Sequence, residues 1–302
     1  MNDIHSYEAI LAGGGYGLLK RAWRNFIKNR LAVGALVFLI FIHLVGYLAP
    51  WIAPYPYERI DLMHTMSPPS RDHLLGTDES GRDVASRLMY GARISLSVGL
   101  VAMTISLTLG TILGAVAGFM GKWIDSLIMR FTDGMLCIPL FFFMLTFLAL
   151  MGSSMTNIVI SIALSSWMPA ARVVRGEVLS QKNLDFVTAA VALGMSRWRV
   201  LIEHILPQAI PSIIVAGTLC VAYAILMESA LSYLGLGVQP PVPSWGNMLS
   251  NGRGYLWSAP SLAFYPGMLI FLTVLAYNFM GDGLRDILDP STGVKKAKDS
   301  EA

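Results

Sequence analysis

The sequence predicts an all-α polytopic membrane protein: six transmembrane helices and one helical loop on the basic side of the membrane. Three observations predict it. Of the 302 residues, 55% are hydrophobic and 14% are charged, whereas a soluble domain carries about 25% charged residues. The mean hydropathy is +0.59. Apolar stretches close to the roughly 20 residues that cross a bilayer recur six times along the chain.

Residues 1–30 form a polar, glycine-rich and then basic arm. From Leu18 to Arg30, the residues Leu19, Trp23, Phe26 and Ile27 make a helical stripe opposite Lys20, Arg21, Arg24 and Lys28. That pattern fits a helix lying in the headgroup plane, or a positive flank that only sets topology. A membrane-spanning body follows over 31–290, and 291–302 is a tail. Spans are expected near 31–53, 94–120, 135–151, 158–174, 209–236 and 262–280. The run from Leu31 is too long for a cleavable signal core and reads as a first anchor. Pro169 interrupts the fourth span, which neighbouring helices can tolerate. The second span carries Gly110, Gly114 and Gly118 at four-residue spacing, a pattern that lets helix backbones approach closely.

With six spans both termini share one side. Of the 22 Lys and Arg residues, sixteen lie on that side and six on the other. The positive-inside rule makes the rich side cytoplasmic.

Several function classes are excluded. A net charge of +3 suggests no nucleic-acid partner. Cys137 and Cys220 fall in apolar runs, and the five histidines are scattered, so neither a disulfide framework nor a metal-ligand spacing is present. No phosphate-binding Gly-Lys-Ser/Thr loop occurs. No nucleophile–base set points to catalysis, and no cofactor is implied. A stand-alone secondary transporter would need internal repeats and paired broken helices, and no repeat is visible.

The connection over 175–208 is long for a structureless loop. Asp185 to Leu193 reads as a short helix, with Asp185 favouring its positive end and Ala189, Ala190 and Ala192 as strong helix formers. Gly194 suits a left-handed terminus. Ser196 opens a second short helix to about Ile205, which Pro207 is expected to close.

The spacing Thr188-Ala189-Ala190, three residues, Gly194, nine residues, His204-Ile205-Leu206-Pro207 resembles the loop motif of ATP-binding-cassette importer permeases. Thr188 replaces the Glu of that motif and His204 its Ile. The resemblance extends to His73–Asp83, Gly91–Leu96, Glu228–Gly237, Gln239–Pro241 with Ser244–Gly246, and Gly281–Pro290. Together these strings, covering about Leu18 to Pro290, resemble the second permease subunit of dipeptide, oligopeptide and nickel importers. The resemblance implies a type I importer transmembrane fold and no catalysis in this chain. It also implies a sister permease as heterodimer partner, two ATP-binding subunits and an extracytoplasmic substrate-binding protein. It assigns Asp185, Phe186, Thr188, Ala189, Ala190, Gly194, Leu206 and Pro207 to a coupling loop that docks on an ATPase. Peptides are the implied cargo, with nickel chelates, glutathione and sugars as alternatives.

Other residues keep two readings each. Asp78, Glu79, Arg82 and Asp83 read as a gate or docking site for the binding protein, or as a turn held by a local ion pair. Glu228, an ionisable group within the fifth span, reads as a pathway residue or as a hydrogen-bonding link to a neighbouring helix. Arg130 and Asp133 are spaced to pair on one helix face. His43 reads as neutral and packed. Gln239 to Trp245 reads as a stiff outer lip with its tryptophan at the interface.

Overall fold

The computed structural model describes residues 26–288. Every regular element longer than a single bridge pair among these residues is helical: α1 Arg30–Ile52, α2 Val84–Met120, α3 Lys122–Cys137, α4 Leu140–Met151, α5 Met155–Gln181, α6 Asp185–Ala192, α7 Arg197–Val200, α8 Leu206–Tyr233, α9 Trp245–Gly252 and α10 Ser261–Leu288. Most of the basic arm and the tail lie outside the described residues.

The α2–α5 seam organises the bundle. A Cβ on Gly110 would lie 2.6 Å from the Trp167 carbonyl oxygen, and one on Gly114 would lie 2.3 Å from that of Ala171. Ser106 Oγ donates across the seam to the Ala163 carbonyl at 3.1 Å. The contacting pairs rise together in number, so α2 and α5 run parallel. α8 runs antiparallel to α2, with Gly99 against Ile225 and Gly217 against Leu107. α1 and α10 are antiparallel: His43 Nε2 and Tyr277 Oη are 3.3 Å apart, and Gly283 meets Ala32.

Because α2 and α5 are parallel, α3 and α4 must carry the chain back between their ends. Ser106 faces Ala163, so the start of α5 at Met155 is level with about Val98 of α2. The 22 residues from there to Met120 rise about 33 Å, a membrane's hydrocarbon thickness. α3 and α4 meet at a bend of 83°. Helices of 16 and 12 residues joined at that angle reach about 32 Å end to end. The bent pair therefore closes the distance and counts as the sixth crossing, beside five single-helix spans. Two local causes fix its shape. Gly121, at φ 63°, turns the chain out of α2, and Ile138 is held extended ahead of Pro139.

Helix ends differ from the hydropathy windows where charges are paired. α2 starts ten residues earlier than expected, because Asp83 caps it by accepting from the Ser86 amide at 2.7 Å and Arg87 is buried inside its first turns. α5 continues through Arg175 and Glu177, which bond Asp125 and Ser212. It stays helical past Pro169.

Two further expectations are corrected. Asp133 pairs with Arg172 of α5, while Arg130 Nε reaches Ser126 Oγ at 3.3 Å. A helix packed alongside offered a better partner than the next turn. Trp245 is fully buried, with Nε1 donating to the Leu88 carbonyl at 3.1 Å, so it anchors α9 in the core and does not mark an interface. Cys137 is exposed and Cys220 half-buried.

The seam predicts a contrast. Gly114→Val should cost about 1–3 kcal/mol through overpacking, read as a lower melting temperature of the detergent-solubilised protein. Gly34→Ala, where nothing lies within 4 Å of the added carbon, should leave it unchanged or slightly higher.

Candidate functional site

The end of the bundle that holds the start of α1 and the end of α10 also carries α6. Only residues 182–184 separate α5 from α6. Leu184, in extended conformation, precedes the helix, and Asp185 occupies its first turn without a side-chain cap bond. Its contribution is a negative charge at the positive end. Gly194 has φ +86°, and the Met195 amide donates back to the Ala190 carbonyl at 3.1 Å. This is a glycine-terminated helix end.

α6 has two faces. Val187 and Ala190 are buried against Ala115, Val174, Val178, Val200, Leu201 and Ile205. Asp185, Phe186, Thr188, Ala189 and Gly194 are exposed, and Leu193 is 88% exposed. Of the residues expected in the loop, Ala190 therefore faces the protein's own core. Thr188 Oγ1 donates to the Leu184 carbonyl at 3.4 Å, a local bond within α6. Leu193, Val191 and Trp198 are exposed apolar groups of the same surface that the motif did not point to.

The base of α6 is braced by charge. Arg175 donates twice to Asp125, at 2.5 and 2.7 Å, a bidentate geometry that fixes orientation as well as distance. Lys182 Nζ donates to the Gly118 carbonyl at 3.0 Å. Glu177 accepts from Ser212 Oγ at 2.5 Å. Pro207 does not end the second short helix as expected. α7 passes through a π turn, Leu201–Ile205, in which the Leu206 amide reaches back five residues to Leu201, and continues into α8. The widened turn precedes the proline, which then occupies the first turn of α8, where its missing N–H costs little. Leu206 is half-buried against the α6 core, and Pro207 is exposed.

At the opposite end the acidic turn is closed on itself. Asp78 accepts from the Ser80 and Arg82 amides and from Arg82 Nε at 2.7 Å, with Arg87 Nε 3.4 Å away. Glu79 accepts from Arg82 Nη2 at 2.9 Å and from Asn251 of α9 at 3.3 Å. Asp83, besides capping α2, pairs with His73 Nδ1 at 3.0 Å. Asp78, Arg82 and Asp83 are all buried. Nearby, the hydrogen bond from His64 holds the exposed Asp61 carboxyl below its ordinary range.

Glu228 is fully buried five residues from the C-terminal end of α8, nearer that end than the middle of the span. It accepts from Ser95 Oγ of α2 at 2.9 Å and from Ser232 Oγ at 2.7 Å. Ser95 Oγ also accepts from the Trp245 amide at 3.2 Å, and Ser232 Oγ from the Val238 amide at 3.1 Å. The carboxyl thus joins α2, α8 and the 238–247 segment through hydroxyls. Among the described residues no group of three His, Cys, Asp or Glu could hold a metal ion.

A six-crossing bundle with an exposed, largely apolar helix at one end defines a multi-pass membrane component. Family comparison gives the same answer. Residues 110–294 match the profile described as binding-protein-dependent transport system inner membrane component. Residues 17–69 match the N-terminal transmembrane domain of oligopeptide transport permease C. Among curated relatives, the chain is 42% identical over 271 residues to a dipeptide transport system permease protein of Alkalihalophilus pseudofirmus, covering 90% of this chain and 89% of that one. It is 41% identical to an oligopeptide transport system permease protein of Haemophilus influenzae (91% and 89% covered). It is 40% identical to a glutathione transport system permease protein of Pectobacterium atrosepticum (89% of each). The chain belongs to the family of binding-protein-dependent transport system inner membrane components. It is a multi-pass permease subunit of an ATP-driven importer, and hydrolysis belongs to separate ATP-binding subunits.

The hydroxyl cage generates a test. Glu228→Gln keeps acceptors for the serines, and Glu228→Leu leaves buried hydroxyls unpaired at about 1–3 kcal/mol each. The Leu variant should melt well below wild type and the Gln variant between the two, measured on the purified protein.

Proposed function

We propose that this chain lines half of a path for di- or oligopeptides, as one of two different permease chains, and takes its drive from two ATP-binding subunits through α6. The exposed surface of α6, fixed from behind by Val187 and Ala190, carries this reading. An amphipathic helix with one face in its own core and the other bare is built to enter a groove on another protein. Asp185, Phe186, Thr188, Ala189 and Gly194 supply that outer surface, and Ala190, Leu206 and Pro207 support it from the core side and the start of α8.

The basic side holding α6 is the cytoplasm by the distribution of Lys and Arg, and both termini lie there. ATP-driven closure of the partners would displace α6. Short links to α5 and α8, with the shared core on α2, make those helices follow. The loop must contact the ATPase differently in its two states for ATP to shift the equilibrium. Asp78, Arg82 and Asp83 serve the outer surface as a rigid mount for the binding protein, and Glu228 keeps α2 and α8 together at the mouth.

Similarity to dipeptide and oligopeptide permeases at 41–42% identity supports peptides as cargo. Similarity at 40% to a glutathione permease supports a second reading, import of that tripeptide thiol.

The test is co-purification of the assembled complex with Leu193→Asp and Gly194→Trp. Leu193 touches little of its own chain, so the variants should fold with wild-type melting for Leu193→Asp. Recovery of the ATP-binding subunits should fall at least tenfold and peptide uptake into proteoliposomes should stop. Full recovery of partners with unchanged uptake would overturn the docking role of α6.

A further inference from the structure

α3 turns one face inward, with Thr132 fully buried and Met135 against Trp167, Met168 and Ala171 of α5. Its two flanks differ in chemistry. At 100° per residue, Ser126, Arg130, Asp133 and Cys137 fall on one flank, and all four are exposed. Leu127 and Phe131 fall on the other, also exposed, and the Phe131 ring stacks on the rim of Trp167 of α5 with centroids 6.2 Å apart. Arg172 of α5 joins the polar flank, its Nη2 2.5 Å from Asp133 Oδ1, with the two side chains 50% and 60% exposed.

Arg172 follows Ala171, which packs at the level of Gly114 of α2. That level is six residues, about 9 Å, inside the inner end of α2. Charges at membrane depth face a bundle interior or a water-filled cavity, because hydrocarbon leaves them unsolvated. The apolar flank with Phe131 suits lipid, and the polar flank does not. A dry protein interface is also a poor fit. Among the described residues Arg130 meets no carboxylate, and burying an incompletely bonded ion pair costs several kcal/mol per ion. Water satisfies these groups without that cost.

We propose that the Ser126–Arg130–Asp133–Cys137 flank of α3, with Arg172, is a wall of the aqueous path near its cytoplasmic end, and that the Asp133–Arg172 pair receives the two charged ends of a peptide. The substrate part rests on the function proposed above. A zwitterion carries an ammonium that Asp133 accepts and a carboxylate that Arg172 and Arg130 can hold. Because the two side chains already neutralise each other, they can exchange partners with the peptide without leaving a bare charge in the bundle. The pair therefore binds passing substrate weakly and resets by closing on itself.

The chain's own thiol reports on this wall. In the assembled complex in proteoliposomes, carrying Cys220→Ala, Cys137 is exposed to a cationic, membrane-impermeant thiol reagent. The comparison places a cysteine on the apolar flank, as Leu127→Cys with Cys137→Ala and Cys220→Ala. Labelling is followed by the mass of this chain. Cys137 should react at least tenfold faster than the cysteine at position 127, and binding protein loaded with peptide should slow it. Asp133→Asn and Arg172→Gln should each lower peptide import at least tenfold while the ATP-binding subunits still co-purify, with Asp133→Glu and Arg172→Lys recovering part of it. Equal labelling of the two flanks, or import within twofold of wild type in both neutral variants, would overturn the inference. A wild-type complex that imports no peptide would overturn the peptide reading, and the labelling contrast would still decide whether the wall is wet.

Discussion

The bundle depends on how closely α2 can approach α5. Gly110, Gly114 and Gly118 present bare backbone to Trp167, Ala171 and Val178, and no larger residue fits at that separation. In a bilayer there is little hydrophobic drive between helices, so close van der Waals contact between backbones is a main source of association. This seam sets the parallel course of α2 and α5, and that course obliges α3 and α4 to bring the chain back across the membrane. It also sets the platform on which α6 is mounted, since Ala115, Val174 and Val178 of the same two helices form the floor beneath Val187 and Ala190.

The two ends of the bundle are built by different means. At one end, α6 stands on apolar contacts braced by the Asp125–Arg175 and Lys182–Gly118 bonds. Its other surface, with Phe186, Val191 and Leu193, is exposed. At the opposite end, polar side chains are consumed internally. Asp78, Glu79, Arg82 and Arg87 form one closed set, and Glu228 spends its acceptors on serines. Buried ion pairs of this kind contribute little net stability against apolar replacements, and removing one partner is costly. Their effect here is to fix the position of the 53–83 segment and α9 against α2.

Much of this was legible in the sequence. Five spans and the small-residue stripe announce themselves because lipid imposes a single rule, long apolar runs with small residues at contacts. The Asp185 helix and its Gly194 terminus were legible because alanine and glycine have strong local preferences. What escaped depends on neighbours. Asp133 lies three residues from Arg130, but its partner is 39 residues away on α5, and spacing carries no information about that. The early start of α2 was hidden because buried Arg87 lowers local hydropathy while Asp78 compensates it only in three dimensions. Pro207 looked like a stop, since a proline's effect depends on whether the preceding turn is widened, and the Leu201–Ile205 π turn has no simple local signature. Trp245 looked like an interface marker because its buried partner, the Leu88 carbonyl, belongs to a helix more than 150 residues earlier.

The fastening of α9 has a consequence for where the mouth can open. Trp245 is bonded to Leu88 and, through Ser95, to the Glu228 cage, and Asn251 reaches Glu79. No hinge is left between this short helix and the long ones beneath it. A swinging lid within one chain would have to break the set at once, leaving a carboxyl and several hydroxyls without their partners. The bonds instead join this end of the chain, α9 with α2 and α8, into one stiff body. In the proposed pairing with a second permease chain, the doorway falls at the boundary between the two subunits, and its width follows from how far they tilt apart.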